Sequence, residues 1–398
     1  MKQTAIALAI ASLSTLTATA GTVTSDGADI VIKTNGGFEA KTTDGLYSFK
    51  VGGRIQADYN DYDGVINAVP GESGSDAFFR RARLEVKGHA KDWGYLMSYN
   101  LTSGGSIDQL HTTYTGWGKL ANLTVGQQKE NFGLDDTGSS NWTTAIERAL
   151  PANAFDAGNN LGIKLHGAND LLSYSVGAFK TGIDSDNDLD SALTGRFVVR
   201  PYLDGGNVVH LGIGATRRDG VAADYNSRLG ARGGEDGTGA GRVRARIANT
   251  LGDREDYNLE AAANLGPFHV MAEYFDGEID VDGVGATIEA DGYYLQAGWV
   301  LTGESRGYKT DIAAFDGVKP ASAGGAWELF ARFDALDVAN PAPISVAGEK
   351  ADSITLGVNW YLNSLVKVSL NYVDVGTDRA IGGEDEGDAL LARLQVAF

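Results

Sequence analysis

Residues 352–362 read DSITLGVNWYL, and apolar and polar side chains alternate along the whole stretch. Successive side chains of a β-strand point to opposite faces, so Ile354, Leu356 and Trp360 share one face and the polar residues share the other. A strand that crosses a membrane as part of a barrel needs this alternation over about ten residues, because one face meets lipid and the other meets water. The stretch therefore predicts a membrane-spanning strand of a β-barrel.

The same alternation recurs along much of the 398-residue chain. We predict an all-β fold, a transmembrane antiparallel β-barrel of about 16 strands, and single-chain bacterial barrels require such an even number. Counting residues 242–250 as a further strand would break this parity, so we place them in a loop. The predicted strands lie near residues 47–59, 77–90, 93–101, 107–116, 121–128, 160–168, 171–180, 193–201, 207–217, 257–265, 267–276, 291–301, 326–335, 352–362, 365–375 and 388–398.

The tryptophans support this interpretation. Five of the six fall at the predicted periplasmic ends of strands, and amphipathic rings favour the headgroup level of a membrane. These five are Trp93, Trp117, Trp299, Trp327 and Trp360, and the exception is Trp142. The last predicted strand ends on Phe398, which resembles the C-terminal signal of bacterial outer-membrane proteins. One connection, residues 302–325, is long for a periplasmic turn.

The first residues are typical of an export signal. Lys2 supplies a positive start, residues 5–16 are apolar, and residues 18–20 (ATA) form a small-x-small cleavage site. No later run of about 18 apolar residues exists, so we expect no membrane-spanning helix. Cysteine is absent, which suits a chain that crosses the oxidising periplasm. We divide the chain into a signal peptide, residues 1–20, a periplasmic N-terminal segment, residues 21–46, and a barrel, residues 47–398.

The formal net charge of −19 is unevenly distributed between the predicted lumen and the predicted outer loops. In our register the lumen-facing bases outnumber the lumen-facing acids by 11 to 6. The bases are Lys50, Arg54, Arg81, Arg83, Lys87, Lys164, Arg196, Arg200, Arg332, Lys367 and Arg393, and the acids are Asp58, Glu85, Glu260, Glu273, Glu328 and Asp334. Four predicted outer loops, residues 60–76, 181–192, 277–291 and 376–388, together hold 18 acids and one base.

The acidic loops have two interpretations. Either they keep an exposed surface soluble, or divalent cations bridge them to lipopolysaccharide and outer-membrane lipid. Residues 184–190 place Asp at every second position, but this run lacks the Gly and the distal Glu of an EF-hand loop. We therefore expect no specific metal site there.

Short motifs in a fixed order resemble one family of bacterial channels. Residues 78–85 read FFRRARLE, and residues 125–134 read VGQQKENFGL, with Asn131 where that family usually has Pro. The other matching segments are 139–140 (SS), 147–151 (ERALP), 293–296 (YYLQ), 301–306 (LTGESR), 318–320 (VKP), 325–329 (GAWEL) and 356–363 (LGVNWYLN). In order and spacing, nearly all of residues 47–398 resembles the phosphate-selective porin O and P family.

The resemblance implies a homotrimeric porin of the cell outer membrane whose third loop, here residues 129–159, folds inward and narrows the pore. The implied constriction residues on that loop are Glu130, Phe132, Glu147 and Arg148. The implied anion-pathway residues are Arg242, Arg244 and Arg246, which match an arginine ladder of the fifth loop, together with Arg81, Arg83 and Lys129. The implied solutes are small anions such as phosphate.

The residue types suit that role. Arginine at every second position places all the guanidinium groups on one side of an extended segment, and the planar guanidinium pairs with phosphate oxygens and stays charged. Arg80 belongs to the same basic cluster as Arg81 and Arg83, of which the latter two face the lumen in our register. The competing interpretation is that these bases only compensate lumen acids such as Glu85.

Other function classes stay open or are disfavoured. The acidic loops would repel phosphate at the mouth, which favours the alternative of a general or cation-leaning porin, and a surface adhesin or structural barrel is a third class. The five histidines are His89, His111, His166, His210 and His269, and none lies in a nucleophile or metal motif. We therefore expect no enzyme activity and no cofactor. We expect no nucleic-acid partner either, because the basic residues form no nucleic-acid footprint on so acidic a chain.

Overall fold

The computed structural model describes residues 21–25, 28–34, 36–67, 73–102, 104–181, 191–232, 241–283, 285–339, 349–379 and 383–398. Its strands are β1 Gly21–Ser25, β2 Ala28–Lys33, β3 Phe38–Thr42, β4 Tyr47–Tyr62, β5 Gly74–Ala90, β6 Trp93–Asn100, β7 Ser106–Tyr114, β8 Asn122–Lys129, β9 Asn159–Ala168, β10 Leu172–Lys180, β11 Ser191–Asp204, β12 Asn207–Arg228, β13 Arg242–Leu265, β14 Phe268–Val281, β15 Ala286–Val300, β16 Arg306–Lys309, β17 Ala314–Val318, β18 Ala326–Ala339, β19 Glu349–Tyr361, β20 Val366–Arg379 and β21 Gly383–Ala397. Two short helices, α1 Leu134–Thr137 and α2 Leu150–Ala154, follow β8, and a 3-10 turn spans Gly64–Ile66. No helix of these residues is long and apolar enough to cross a bilayer.

Sixteen of these strands close into an antiparallel barrel, which confirms the predicted fold class. Each barrel strand pairs with the next one along the chain, and β15 pairs directly with β18 because β16 and β17 form a separate two-stranded sheet. The last strand pairs with the first between Ala389↔Tyr62 and Ala397↔Arg54. Every predicted strand overlaps one of the sixteen.

The alternation that predicted the strands corresponds to two different environments. On β19 the outward residues Ile354 and Leu356 are about half exposed, whereas the inward residues Ser353 and Thr355 are buried. The outer wall is thus apolar and the inner wall polar, as a strand between lipid and water requires. The five predicted girdle tryptophans lie at one rim, where the rings of Trp327 and Trp360 stack with centroids 5.1 Å apart.

Three short strands precede the barrel. β1, β2 and β3 form an antiparallel ladder, and β3 continues it by pairing with residues 48–51 of β4. β3 can pair with residues 48–51 of β4 because β21 pairs only with residues 54–62 of the same edge. Just beyond β21, Phe398 and Gly53 exchange backbone hydrogen bonds of 2.9 and 2.8 Å. The periplasmic location of residues 21–46 stays a prediction, and the predicted signal peptide lies outside the described residues.

The loop predicted at residues 242–250 is wrong, because these residues form the first part of β13. Parity survives because they continue into the predicted strand 257–265 as one element. β12 and β13 extend past the barrel wall as a hairpin that bends inward, so Val243 and Ala245 are buried. The hairpin reaches the opposite wall, where the backbone N–H of Arg244 donates to Glu349 on β19 at 2.8 Å.

Three other predicted connections also differ from expectation. β14 extends to Val281 and β15 begins at Ala286, while β20 extends to Arg379 and β21 begins at Gly383, so most acids assigned to these two loops lie on strand ends. The long connection 302–325 contains the β16–β17 hairpin, which explains its length. The aspartate run at residues 184–190 lies outside the described residues.

Candidate functional site: the lumen constriction

The third loop joins β8 to β9 and folds into the barrel. Its apolar side chains Phe132, Leu134, Leu150 and Phe155 are buried. Phe155 stacks on Phe275 of β14 with ring centroids 5.3 Å apart, so the loop carries its own small hydrophobic core against the wall. This packing resists displacement of the loop by water, since burial of apolar surface stabilises it.

Charged wall residues bind the carbonyl groups of the third loop. Buried loop carbonyls need donors, and long cationic side chains from β18, β20 and β21 supply them. The bonds run from Arg332 Nη1 to Glu147 O at 2.9 Å, from Lys367 Nζ to Thr143 O at 2.9 Å, and from Arg393 Nη1 to Ile146 O at 2.8 Å.

Acceptors on the wall bind the amide groups of the same loop. The bonds run from Leu134 N to Glu273 Oε1 at 2.6 Å, from Ile146 N to Asn371 Oδ1 at 2.7 Å, and from Leu150 N to Asp334 Oδ1 at 3.1 Å. Wall residues thus bind both the carbonyl groups and the amide groups of the loop backbone. We call the inward residues of β18 to β21 the anchored side of the lumen.

Two of the three bases that hold the loop are neutralised by buried carboxylates. Arg393 pairs with Asp58 at 2.7 Å and Arg332 pairs with Asp334 at 2.7 Å, and their side chains are 2% and 4% exposed. Arg196 on β11 forms a similar buried pair with Glu260 at 2.7 Å. These three predicted lumen bases therefore compensate acids and hold the loop, and they do not line open water.

The opposite wall keeps its charges in contact with water. We call the inward residues of β5 to β9, with Lys50 and Arg54 of β4, the open side. Its pairs are more exposed: Arg83 binds Asp108 at 2.7 Å and is 20% exposed, and Lys87 binds Glu85 at 2.6 Å and is 46% exposed. Solvated charges on this wall can interact with a passing ion.

A β-bulge adds a base that the alternating pattern did not place in the lumen. Between β4 and β5, Gln56 pairs with Arg81 but Ala57 pairs with Phe79, so Arg80 is the extra residue. A bulge re-aims side chains locally, and Arg80 points inward to Glu147 at 2.6 Å. The sequence register assigned only Arg81 and Arg83 to the lumen, because strict alternation contains no signal for a bulge.

The remaining predicted constriction residues have distinct positions. Lys129 and Arg148 both bind Asp136 Oδ1, each at 2.9 Å, so the two bases meet at one carboxylate beside the lumen. Glu130 is buried behind the loop and pairs with Arg218 of β12 at 2.7 Å. Although burial alone would raise it, the neighbouring guanidinium groups of Arg80 and then Arg393 hold the pKa of Glu147 well below its usual range.

The three arginines at residues 242–246 lie on one side of the inward hairpin. Arg244 forms a two-point ion pair with Asp224, and Arg242 donates to Asn226 at 2.8 Å. Arg246 is exposed and pairs with no carboxylate among the described residues. The hairpin therefore brings them together, although Arg244 is already partly neutralised.

The β16–β17 hairpin also folds into the barrel, from the rim with the tryptophans. Arg306 donates to the carbonyl of Trp142 and, at 2.7 Å, to the hydroxyl of Thr144, so it joins this hairpin to the third loop. Tyr308 contacts His210 at 2.7 Å and fixes the hairpin to β12. Sequence reasoning assigned no role to Arg306 or Arg218. The signals for Arg306 were the motif at residues 301–306 and the unusual length of residues 302–325, and no local signal marked Arg218.

A closed barrel with an apolar outer wall, a charged inner wall and an inward loop that narrows the lumen is the architecture of a diffusion porin. Residues 49–398 match the family described as "Phosphate-selective porin O and P", and the chain belongs to this family. Porin O of Pseudomonas aeruginosa is 39% identical, over 99% of this chain and 98% of that protein. The protein is thus a porin of the outer membrane.

Solved structures show the same fold at low sequence identity. The anion-selective porin from Comamonas acidovorans has a TM-score of 0.59 and 14% identity, covering 88% of this chain and 100% of that one. The trimer form of OmpT from Vibrio cholerae has a TM-score of 0.56 and 12% identity, covering 89% of this chain and 100% of that one.

Proposed function

We propose that this porin prefers anions and passes phosphate-type anions along the open side of its lumen. The observation that carries the proposal is a set of three partly exposed bases, Arg54, Arg81 and Lys164, that pair with no carboxylate of the described residues. Their hydrogen bonds go to neutral groups, namely Ser140, Gln56 and Asn131, so their charge is not cancelled locally. The acids of the same wall, by contrast, are already paired.

Geometry suits a phosphate-type anion. Arg54 and Arg81 lie on neighbouring strands, and Arg83, which is paired in register with Arg54, adds a third guanidinium group to the cluster. Guanidinium groups pair with two phosphate oxygens at once, and in a confined lumen such charge-assisted bonds replace part of the hydration that the ion loses. The family to which the chain belongs is described as phosphate-selective, which supports the same solute class here.

The inward hairpin supplies an entry route for these anions. Arg242, Arg244 and Arg246 project from one face of β13 at the end opposite the tryptophan rim. Arg246 is the most exposed of the three, so we assign it the first contact with an arriving anion. Lys129 and Arg148 follow at the third loop.

The decisive experiment measures ion selectivity of the purified porin in planar bilayers. In a KCl gradient the reversal potential should show that chloride permeates more easily than potassium. Replacing Arg54, Arg81 and Lys164 together by Gln should reduce the chloride preference several-fold, and inorganic phosphate should block chloride current less in that variant.

A control on the outer surface separates the effect of the lumen from that of any exposed base. Arg217 points outward from β12 and is 63% exposed, so Arg217→Gln removes one positive charge without touching the lumen. Its reversal potential should equal that of the wild type. A wild-type pore that selects potassium would contradict the proposal and favour a general or cation-leaning porin.

We also propose a homotrimer. β6, β7 and β8 have only 8, 9 and 8 residues. At roughly 3.3 Å per residue and a tilt of about 45°, such strands rise about 20 Å, less than the apolar band of about 25 Å. A neighbouring subunit on this low wall would protect it from lipid mismatch. Light scattering in detergent tests this, and a monodisperse monomer would count against it.

Lipopolysaccharide is the partner we propose for the outward acids near the other rim. Asp291 lies directly opposite both Asp276 and Asp337 on the neighbouring strands. Like charges in such positions repel each other, and a divalent cation shared with a lipid phosphate would relieve this. Chelation of divalent cations should lower the thermal stability of the porin in lipopolysaccharide-containing vesicles, and less so for Asp291→Asn. Equal loss in both proteins would argue against the contact.

A further inference from the structure

Two carboxyl groups of the third loop face each other at the constriction. Asp136 is only 3% exposed, and its Oδ1 accepts a hydrogen bond from Lys129 and forms an ion pair with Arg148 at 2.9 Å. Its second oxygen, Oδ2, is buried and has no hydrogen-bond donor. The carboxyl of Asp156 lies within hydrogen-bonding reach of Asp136, while its side chain stays open to the lumen. A buried acceptor without a donor is therefore adjacent to a group that can carry a proton.

The surrounding charges do not neutralise Asp156. The charged groups that act on it are Asp136, Lys129 and Arg148, and both bases direct their hydrogen bonds to Asp136. Asp156 forms no ion pair among the described residues, and its one backbone contact is the N–H of Gly158 at 2.8 Å. It differs in this from Asp136 and Glu147, two buried acids of the loop that each have two basic partners.

A proton on Asp156 would satisfy both groups. Its O–H would donate to Asp136 Oδ2, and the repulsion between two adjacent carboxylates would disappear. Loss of hydration in the loop and then the charge of Asp136 raise the pKa of Asp156. Although burial alone would raise it, Lys129 and Arg148 lower the pKa of Asp136, so the two carboxyls are driven towards opposite protonation states.

We propose that Asp136 and Asp156 share one proton, and that Asp156 is a specificity-determining residue whose ionisation weakens the anion preference of the pore. The proposal rests on the anion pathway proposed above. With the proton present, the constriction presents Lys129 and Arg148 against one carboxylate. Without it, the same two bases face two carboxylates, and the local excess of positive charge disappears.

The sign of the pH effect follows from this arrangement. A raised pKa keeps Asp156 neutral at pH values above the ordinary aspartate range of about 3.9. As the pH rises through the pKa of Asp156, the constriction gains one negative charge and the chloride preference falls. Chloride is the appropriate probe because its own charge does not change with pH, whereas phosphate titrates.

The test uses the full-length purified porin in planar bilayers with KCl gradients at a series of pH values between about 4 and 8. The chloride-to-potassium permeability ratio of the wild type should fall about twofold or more as the pH rises. Asp156→Asn should keep the high ratio throughout, because the amide is neutral and can still donate to Asp136 Oδ2. Asp156→Ser, which also retains a donor, should give the same flat profile.

Asp135→Asn is the matched control. Asp135 is the neighbouring loop acid and also forms no ion pair among the described residues, so its replacement should raise the ratio at every pH and keep the slope. A wild-type ratio independent of pH, or a slope that persists in Asp156→Asn, would overturn the proposal. A pore that prefers potassium at every pH would instead defeat the proposed function, and a slope lost only in the Asp156 variants would still support the shared proton.

Discussion

The two sides of the lumen use the same residue types for different purposes. On the anchored side, Arg332 and Arg393 are almost fully buried and hold the backbone of the third loop. On the open side, Arg83 and Lys87 are more exposed, and their partners Asp108 and Glu85 are partly exposed as well. The difference teaches that a lumen-facing arginine is not by itself a ligand for anions, since its exposure decides whether an ion can reach it.

The largest expected effect comes from breaking the anchored side. Arg393→Leu leaves the buried carboxylate of Asp58 without its partner and Ile146 O without its donor. Removal of one member of a buried pair costs about 3–5 kcal/mol. Thermal unfolding in detergent should show this loss, and single-channel recordings should show a larger, noisier conductance because the third loop is released.

The double variant Arg393→Leu with Asp58→Leu is the control for that prediction. Removing both charges abolishes the uncompensated carboxylate, so part of the lost stability should return. Equal stability of Arg393→Leu and the wild type would remove the basis for the distinction between the two sides.

Arg80 lies at the boundary, since it starts on the open side and binds Glu147 of the loop. The depressed pKa of Glu147 means that this anchor is present above the unfolded value of about 4.3 and is lost only as the pH falls through the much lower folded value. In Arg80→Gln the pKa should return towards the ordinary range. The loop should then loosen near pH 4, seen as increased current noise at acidic pH.

The wild type should stay quiet over the same range of pH. Arg80→Lys, which keeps the charge but loses the two-point geometry, should fall between the two. Identical noise profiles for all three proteins would show that the bulge arginine does not hold the loop.

The open side should respond in selectivity and not in stability. Asp108→Asn frees Arg83 from its partner and adds one net positive charge to that wall. The chloride-to-potassium ratio should rise about twofold, while the unfolding free energy changes by less than about 1 kcal/mol. Reversal potentials and thermal unfolding check the two parts, and a strongly destabilised variant would assign Asp108 to the anchored class.

The smallest effect is expected at the most exposed pair. Lys87 is 46% exposed and its partner Glu85 is 25% exposed, so water screens their attraction. Lys87→Gln should change stability by less than about 0.5 kcal/mol and should reduce the chloride preference only slightly. A stability loss comparable to that of Arg393→Leu would contradict the difference between the anchored side and the open side.

Sequence alternation was sufficient for the wall. Ile354 and Ser353 could be assigned to opposite faces because only strand geometry matters there, and Arg81, Arg332 and Arg393 were correctly turned inward for the same reason. It was insufficient for Arg80, whose direction depends on a bulge, and for residues 242–250, which prolong a strand beyond the membrane. The alternation of apolar and polar residues does not distinguish a strand within the barrel wall from a strand that extends beyond it.

The hydrogen-bond partners within the constriction also could not be predicted from local sequence patterns. Arg306 meets Trp142 across 164 residues, and Arg332 meets Glu147 across 185. Such contacts are set by how two loops fill one enclosed volume, which no window of neighbouring residues records. The predicted third-loop region was located, but its division into paired and unpaired carboxylates, including Asp156, depends on the folded loop.

The seam between the first and the last barrel strand has a consequence for biogenesis. Gln56 and Gln395, which bond across the seam between β4 and β21, are separated by 339 residues. The seam therefore cannot close until β21 has been synthesised and exported. Contacts between such distant residues carry the greatest loop-closure entropy and form slowly. Until then, residues 54–62 of β4, which later pair with β21, form an unpaired edge, and the nascent sheet needs protection against aggregation.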